Sequence, residues 1–374
     1  MTQPLVPVLL VLNVGSSSIK FQVFERESLS VLMAGKVTGI GTSAQLSARL
    51  AGAEAPVRTA LPAADHDSAM AAVIALIDQH DDGWRLAAVV HRVVHGGAAF
   101  HAPVVVTPEI LAQLGALSPL APLHQPHNLA GIAASQRLAS HALDIACFDT
   151  AFHARMDPLF QAFALPQALR DQGVRRYGFH GLSYEWLAHE IARTRPDLRG
   201  ARVVAAHLGN GASLCAMHAG RSVDTTMGMT ALDGLPMGTR SGAIDAGAVI
   251  YLQRELGMDA DQVEHLLYQE SGLKGLSGIS SDMQALLASA EPQAAFAVDY
   301  FALKVAQYTA MLAVSLSGLD ALVFTGGIGE NAEPVRAAVL ARLQMLGRFD
   351  TLVIEANEEK MMALHAKQLL QAQA

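Results

Sequence analysis

Two short stretches in different halves of the chain share one design. Asn13-Val-Gly-Ser-Ser-Ser-Ile-Lys-Phe-Gln-Val and Leu208-Gly-Asn-Gly-Ala-Ser-Leu-Cys-Ala-Met each place a Gly/Ser-rich turn between two short strands. The first turn is preceded by the continuous apolar run Val8 to Val14 and followed by Ile19, Phe21 and Val23 alternating with polar residues. That is the pattern of a buried strand, a tight turn and a second strand. A supersecondary unit that recurs across a chain points to a duplicated domain. The repeat therefore predicts two related halves, each with one hairpin of small residues, facing each other across a cleft.

The rest of the chain fits that frame. Buried strands are expected at Leu86 to Val90, Leu143 to Phe148, Arg202 to Ala206 and Leu322 to Thr325. Helical spacing occupies Ser68 to His80, Thr107 to Leu117, Asp245 to Leu256, Asp261 to Gln269 and Ala294 to Ser317. Alternating strands and helices indicate an α/β fold. With 374 residues, two domains are the default. Hydrophobic residues at 51% against 16% charged support well-filled cores and argue against long disorder.

Charge and composition exclude several functions. The net charge is −8 and the pI near 6.0, so no basic surface for nucleic acid is implied. Cys147 and Cys215 both lie in apolar runs and read as buried thiols of a reducing compartment. The start of the chain lacks a basic leader, and no stretch is apolar enough to span a bilayer. A cytoplasmic protein is expected, with no membrane and no nucleic-acid partner.

The chemistry concentrates at strand ends and small-residue turns. Such turns often serve only backbone geometry. Here three of them follow buried strands, the third being Gly326-Gly-Ile-Gly329, and small residues let backbone N–H groups approach phosphate oxygens. A P-loop and a Gly-x-Gly-x-x-Gly dinucleotide fingerprint are both missing. Arg92, Asp149, Asn210 and Glu330 follow apolar strands, where open α/β sheets bind ligands. Arg240 lies in a Gly-rich loop with few apolar neighbours, so its guanidinium is expected to face an anion. His180 sits between glycines and is expected to present its ring to a ligand. Among the 15 histidines, pairs such as His91/His95 and His124/His127 arise by chance and are not read as metal ligands. Mg²⁺ needs few protein oxygens, and Asn13, Asp149 and Glu358 are candidate suppliers.

The ordered motifs resemble those of the acetate kinase family. They are Asn13-Val-Gly-Ser-Ser-Ser-Ile-Lys20, His91-Arg-Val-Val-His-Gly-Gly97, Phe148-Asp-Thr-Ala-Phe-His153, Tyr177-Gly-Phe-His-Gly181, His207-Leu-Gly-Asn-Gly-Ala-Ser213, Gly238-Thr-Arg-Ser-Gly242, Phe324-Thr-Gly-Gly-Ile-Gly-Glu-Asn331 and Asn357-Glu-Glu359. The family belongs to the superfamily of acetate and sugar kinases, heat-shock chaperone ATPases and actin. The resemblance implies two ribonuclease-H-like domains, residues 1–148 with 356–374 and residues 149–355, in a homodimer. It implies Mg²⁺-dependent transfer of a phosphoryl group from ATP to acetate, giving ADP and acetyl phosphate, with Mn²⁺ as an alternative metal.

By position, the resemblance assigns Asp149, His180 and Arg240 to catalysis. Arg92 would hold the substrate carboxylate, with Val94, Leu123 and Phe179 around the acyl methyl. Lys20, His207, Leu208, Gly209, Asn210 and Gly211 would meet the nucleotide. So would Asp282, Met283 and Gln284, and Gly327, Ile328, Gly329, Glu330 and Asn331. Asn13 and Glu358 would hold the metal. The chain departs from the family pattern at Ala98, Gln125, Tyr184, Ala231, Ala243 and Gln284. Ala231 replaces a proline of the acyl pocket wall, so propionate, then butyrate, are the alternative substrates. The departures also motivate a rival reading, a nucleotide-binding protein of the same fold with weakened turnover. A chaperone-type ATPase does not fit, because no peptide-binding β domain follows the two halves.

Overall fold

The computed structural model describes residues 5–62, 64–80, 83–122 and 124–373. The chain forms two compact units. One runs to Ala151 and resumes at Asn357; the other spans Phe152–Ala356. The break falls after Ala151, so Asp149 belongs with the first unit rather than opening the second.

The first unit is built on an eight-stranded sheet: β1 (Val6–Val14), β2 (Ser18–Glu25), β3 (Val31–Thr38), β4 (Ser43–Leu50), β5 (Val57–Pro62), β6 (Trp84–Val93), β7 (Val104–Val105) and β8 (Leu143–Phe148). Their order across the sheet is β5-β4-β3-β2-β1-β6-β8-β7. β1 lies between β2, antiparallel, and β6, parallel, and is covered on both faces. This explains its unbroken apolar run, since Val8 to Leu12 are all 0% exposed. Among its helices are α1 (His66–Asp78), α2 (Gln125–Leu138) and, after the whole second unit, α7 (Glu358–Gln373), which packs on β1 and β6; a shorter helix over Pro108–Gly115, capped by Thr107, fills the stretch expected from Thr107 to Leu117. The start of α1 is set by a capping box between Asp65 and Ser68, two residues before the expected Ser68. Strand β6 runs longer than its apolar core and carries Arg92 within it, beside Cys147 of β8.

The second unit repeats the core of the first in shorter form. Strands β9 (Arg202–Leu208), β10 (Ala212–His218), β11 (Arg221–Thr225), β12 (Ala321–Thr325) and β13 (Asp350–Val353) are ordered β11-β10-β9-β12-β13. The same succession, three antiparallel neighbours followed by two parallel ones, runs through β3-β2-β1-β6-β8. Among its helices are α3 (Gly181–Thr194), α4 (Met283–Ala288), α5 (Pro292–Ser315) and α6 (Gly326–Asn331). Helix α5 covers β9, β10 and β11, burying Phe301, Val305 and Leu312 completely.

One expected helix takes a different form. The segment expected from Asp261 to Gln269 is an α-helix only over Ala260–His265 and widens into a π-turn over Leu266–Glu270. Its neighbours impose that turn. Thr239 Oγ1 donates to the Tyr268 carbonyl at 2.8 Å, and Ser271 Oγ donates to the Leu266 carbonyl at 2.8 Å. No helix among the described residues is long and apolar enough to cross a membrane.

Candidate active site

In the first unit, the ends of β1, β6 and β8 gather the polar residues. Asn13, near the end of β1, stands directly opposite Lys20 of β2 across the Gly15 hairpin. The turn is closed by Gly15 N–H donating to the Ser18 carbonyl at 2.8 Å. Asn128 on α2 ties the strand ends together. Its amide donates to the Val14 carbonyl at 2.9 Å and accepts from Val94 N–H at 3.1 Å. Leu123 lies outside the described residues.

Arg92 and Asp149 form a two-pronged pair. Arg92 Nε and Nη2 donate to the two Asp149 oxygens at 2.9 and 2.7 Å, and Asp149 is only 2% exposed. Burial opposes the charge on Arg92. Asp149, and beyond it Glu358 and Glu359, outweigh that and hold the guanidinium pKa above its ordinary value. The charged pair is stable because each partner satisfies the other where water is scarce.

Glu358 and Glu359 open α7. Burial, then the adjacent Glu358 carboxylate, raises the pKa of Glu359 above the usual carboxylate range, with Arg92 and Lys20 opposing. Glu359 was not singled out from sequence. Its signal was only its place beside Glu358, and its burial is a tertiary property. Among the described residues, no cluster of three or more His, Cys, Asp or Glu surrounds a metal position. The donor set still suits Mg²⁺, which takes an amide or carboxylate oxygen and completes its shell with water and phosphate. Two neighbouring carboxylates, one with a raised pKa, are a pair that a divalent cation would relieve.

In the second unit, three of the expected nucleotide segments line one cavity of about 780 Å³. Gly209 and Asn210 come from the β9–β10 turn, Asp282, Met283 and Gln284 from the start of α4, and Gly327, Ile328 and Asn331 from α6. Glycine is required at Gly326, with φ 78°, because a Cβ there would lie 2.8 Å from the Leu208 carbonyl oxygen. Two acidic residues of these segments have local tasks. Asp282 caps α4, accepting from Gln284 N–H at 3.0 Å. Glu330 accepts from Gly326 N–H at 2.8 Å and Ala356 N–H at 2.9 Å, so its carboxylate shapes the loop and is absent from the cavity lining.

Arg240 is carried on a loop fastened to that cavity. Gly238 N–H donates to the Asn210 carbonyl at 3.1 Å, and Met237 N–H donates to the Arg240 carbonyl at 3.0 Å. The half-buried guanidinium donates through Nη1 to the Ala231 carbonyl at 2.9 Å. Ala231, the departure from the acyl-pocket pattern, is thus in contact with a candidate catalytic group.

His180 adopts a left-handed backbone, φ 57°, immediately before α3. Its ring stacks on His207 with centroids 4.5 Å apart, and Nδ1 lies 2.8 Å from Ser213 Oγ. Behind it, Phe179 is buried, and its carbonyl accepts from His153 Nε2 at 2.9 Å. Sequence reading passed over Ser213 and His153 as site residues. Their roles come from packing and leave no local mark beyond membership of the motifs.

The site can be set against known proteins. The sequence model of the Acetokinase family matches residues 8–368. An acetate kinase of Rhodopseudomonas palustris (strain TIE-1) is 51% identical over 350 residues, covering 91% of this chain and 87% of that protein. A crystal structure of a propionate kinase from Francisella tularensis superposes with a TM-score of 0.91 at 33% identity, covering 96% of this chain and 98% of the other. A crystal structure of Porphyromonas gingivalis acetate kinase superposes with a TM-score of 0.88 at 32% identity, covering 97% and 100%.

Proposed function

The chain belongs to the Acetokinase family, and from that premise we propose that it transfers the terminal phosphoryl group of ATP to the carboxylate of acetate, reversibly. The observation that carries this reading is the 780 Å³ cavity, in which three separate nucleotide-type segments meet and to which the Arg240 loop is fastened. Its size suits a nucleotide.

Acetate is already ionised at neutral pH, so the nucleophile needs no strong base. The difficulty is joining two anions. Arg92 holds the carboxylate; its bonds to Asp149 use Nε and Nη2, and we assign Nη1 to the substrate. Asp149 fixes that guanidinium in place. By the family resemblance we assign Val94, Leu123 and Phe179 to recognition of the methyl group. Arg240 and His180 donate to the equatorial oxygens of the phosphoryl group as it passes in line. Asn13 and Glu358 would hold Mg²⁺ or Mn²⁺, with Glu359 next to Glu358 in sequence, and the metal would supply charge neutralisation of the phosphates. We further propose a cytoplasmic homodimer. The exposed stripe Phe296, Leu303, Met311 and Val314 along α5 supports self-association.

The test is hydroxylamine trapping of acyl phosphate with ATP and acids of increasing length, compared by kcat/KM. Acetate highest, propionate next and butyrate last is the expected order. Propionate above acetate would favour the second reading, which the replacement of a wall proline by Ala231 motivates. No acyl phosphate with any acid would defeat the enzymatic reading.

A further inference from the structure

Tyr184 stands where the family pattern has histidine, and the structure gives its hydroxyl a specific place. The side chain is 0% exposed on the first turn of α3, and its hydroxyl lies 2.5 Å from Ser213 Oγ. Ser213, also 0% exposed, lies 2.8 Å from His180 Nδ1. The three groups form one line: phenol, serine hydroxyl, imidazole.

The direction of the protons along that line can be worked out. Burial, with Cys215 nearby, raises the phenol pKa well above its ordinary value, so the phenol keeps its proton. Ser213 Oγ is the hydrogen-bond partner of that buried phenol among the described residues, so the phenol proton goes to Ser213. The Ser213 proton then goes to His180 Nδ1. An imidazole that accepts at Nδ1 carries its proton on Nε2. Nε2 faces the β9–β10 turn, and a Cβ on Gly211 would sit 3.3 Å from it. Protonating Nδ1 as well would aim two donors at Ser213 and strand the serine proton in a buried place, which is costly.

We propose that Tyr184 and Ser213 are positioning residues, a hydroxyl relay that holds His180 as the neutral Nε2–H tautomer and presents that donor to the transferring phosphoryl group. The inference rests on the assignment of His180 to phosphoryl transfer. It gives the departure at Tyr184 a function: the phenol supplies the terminal donor of the relay.

The experiment uses the full-length enzyme with ¹⁵N-labelled histidine. Long-range ¹H–¹⁵N spectra separate protonated from unprotonated ring nitrogens, and the His180 signals are those lost in His180→Asn. The parent enzyme is expected to show a protonated Nε2 and a bare Nδ1. Tyr184→Phe and Ser213→Ala should each raise the Nδ1–H population. Each should lower kcat by about tenfold, the worth of one hydrogen bond, with KM for ATP and acetate little changed. A protonated Nδ1 in the parent, or spectra unmoved by both substitutions, overturns the relay whatever the kinetics. Full kcat in His180→Asn instead overturns the role given to His180, and the inference falls with it. If Tyr184→Phe does not fold, Ser213→Ala decides by the same spectra.

Discussion

His153 is fully buried between two partners: Nδ1 lies 2.8 Å from Ser222 Oγ, and Nε2 donates to the Phe179 carbonyl. Burial lowers its pKa to about 4 from 6.5, the carbonyl pulling the other way and Arg176 adding to the fall. The folded protein therefore resists a proton that the unfolded chain accepts below 6.5. Stability from this residue is complete above pH 6.5 and is lost as pH falls toward 4, by about 3 kcal/mol in all. His153→Asn should flatten that part of the pH dependence, read from denaturant midpoints between pH 7 and 4.5. An unchanged slope would mean that other groups set it. Arg240 calls for a kinetic test. With its guanidinium assigned to the phosphoryl group in transit, Arg240→Ala should lower kcat by about three orders of magnitude and raise KM for ATP far less. Equal effects on both would remove the transition-state role.

The elements show what local sequence reveals and what it does not. The apolar runs of β1, β8, β9 and β12 are confined to single stretches, and so are the small-residue turns beside them; both were legible. So were the residues at the strand ends, because a charged group after a buried strand has few reasons to be there. The π-turn at Leu266–Glu270 was not legible, since Thr239 imposes it from a distant part of the chain. The same holds for Gln125. Its buried amide accepts from His95 N–H and donates to the His95 and Leu114 carbonyls, bonds that no spacing rule predicts. Ser213 and Glu359 escaped for that reason too. Gly272 joins these levels. It has φ 62°, and a Cβ would lie 2.1 Å from the Met237 carbonyl oxygen and 2.6 Å from that of Arg240. Gly272→Ala should displace the Arg240 loop and lower kcat by at least tenfold, with a loss of stability above 1 kcal/mol. Wild-type kcat would show that the loop does not position Arg240.

At the scale of the molecule, the sheet order of the second unit recurs inside the first, which adds strands at both edges. The short hairpin repeat foretold this, because a buried strand and its tight turn are the part of such a unit least free to vary. Assembly is the other question at this scale. Val314 is 79% exposed and Phe296 58% exposed on α5, whose other side fills the core. Phe296→Glu with Val314→Glu should convert a dimer to monomers in light scattering without lowering the unfolding temperature of the monomer. A monomeric parent protein would end the homodimer proposal.

Helix α7 belongs to the first unit yet follows the whole of the second. A ribosome therefore releases the second unit before the first can be finished. The nascent chain must keep an incomplete sheet from straying while its successor matures, and Glu358 and Glu359 arrive only with α7. On the proposed assignment of Glu358 to the metal, a chain stopped before α7 would keep the cavity residues Gly209, Asp282 and Gly327 and lack that ligand, so acyl-phosphate formation should be absent from it.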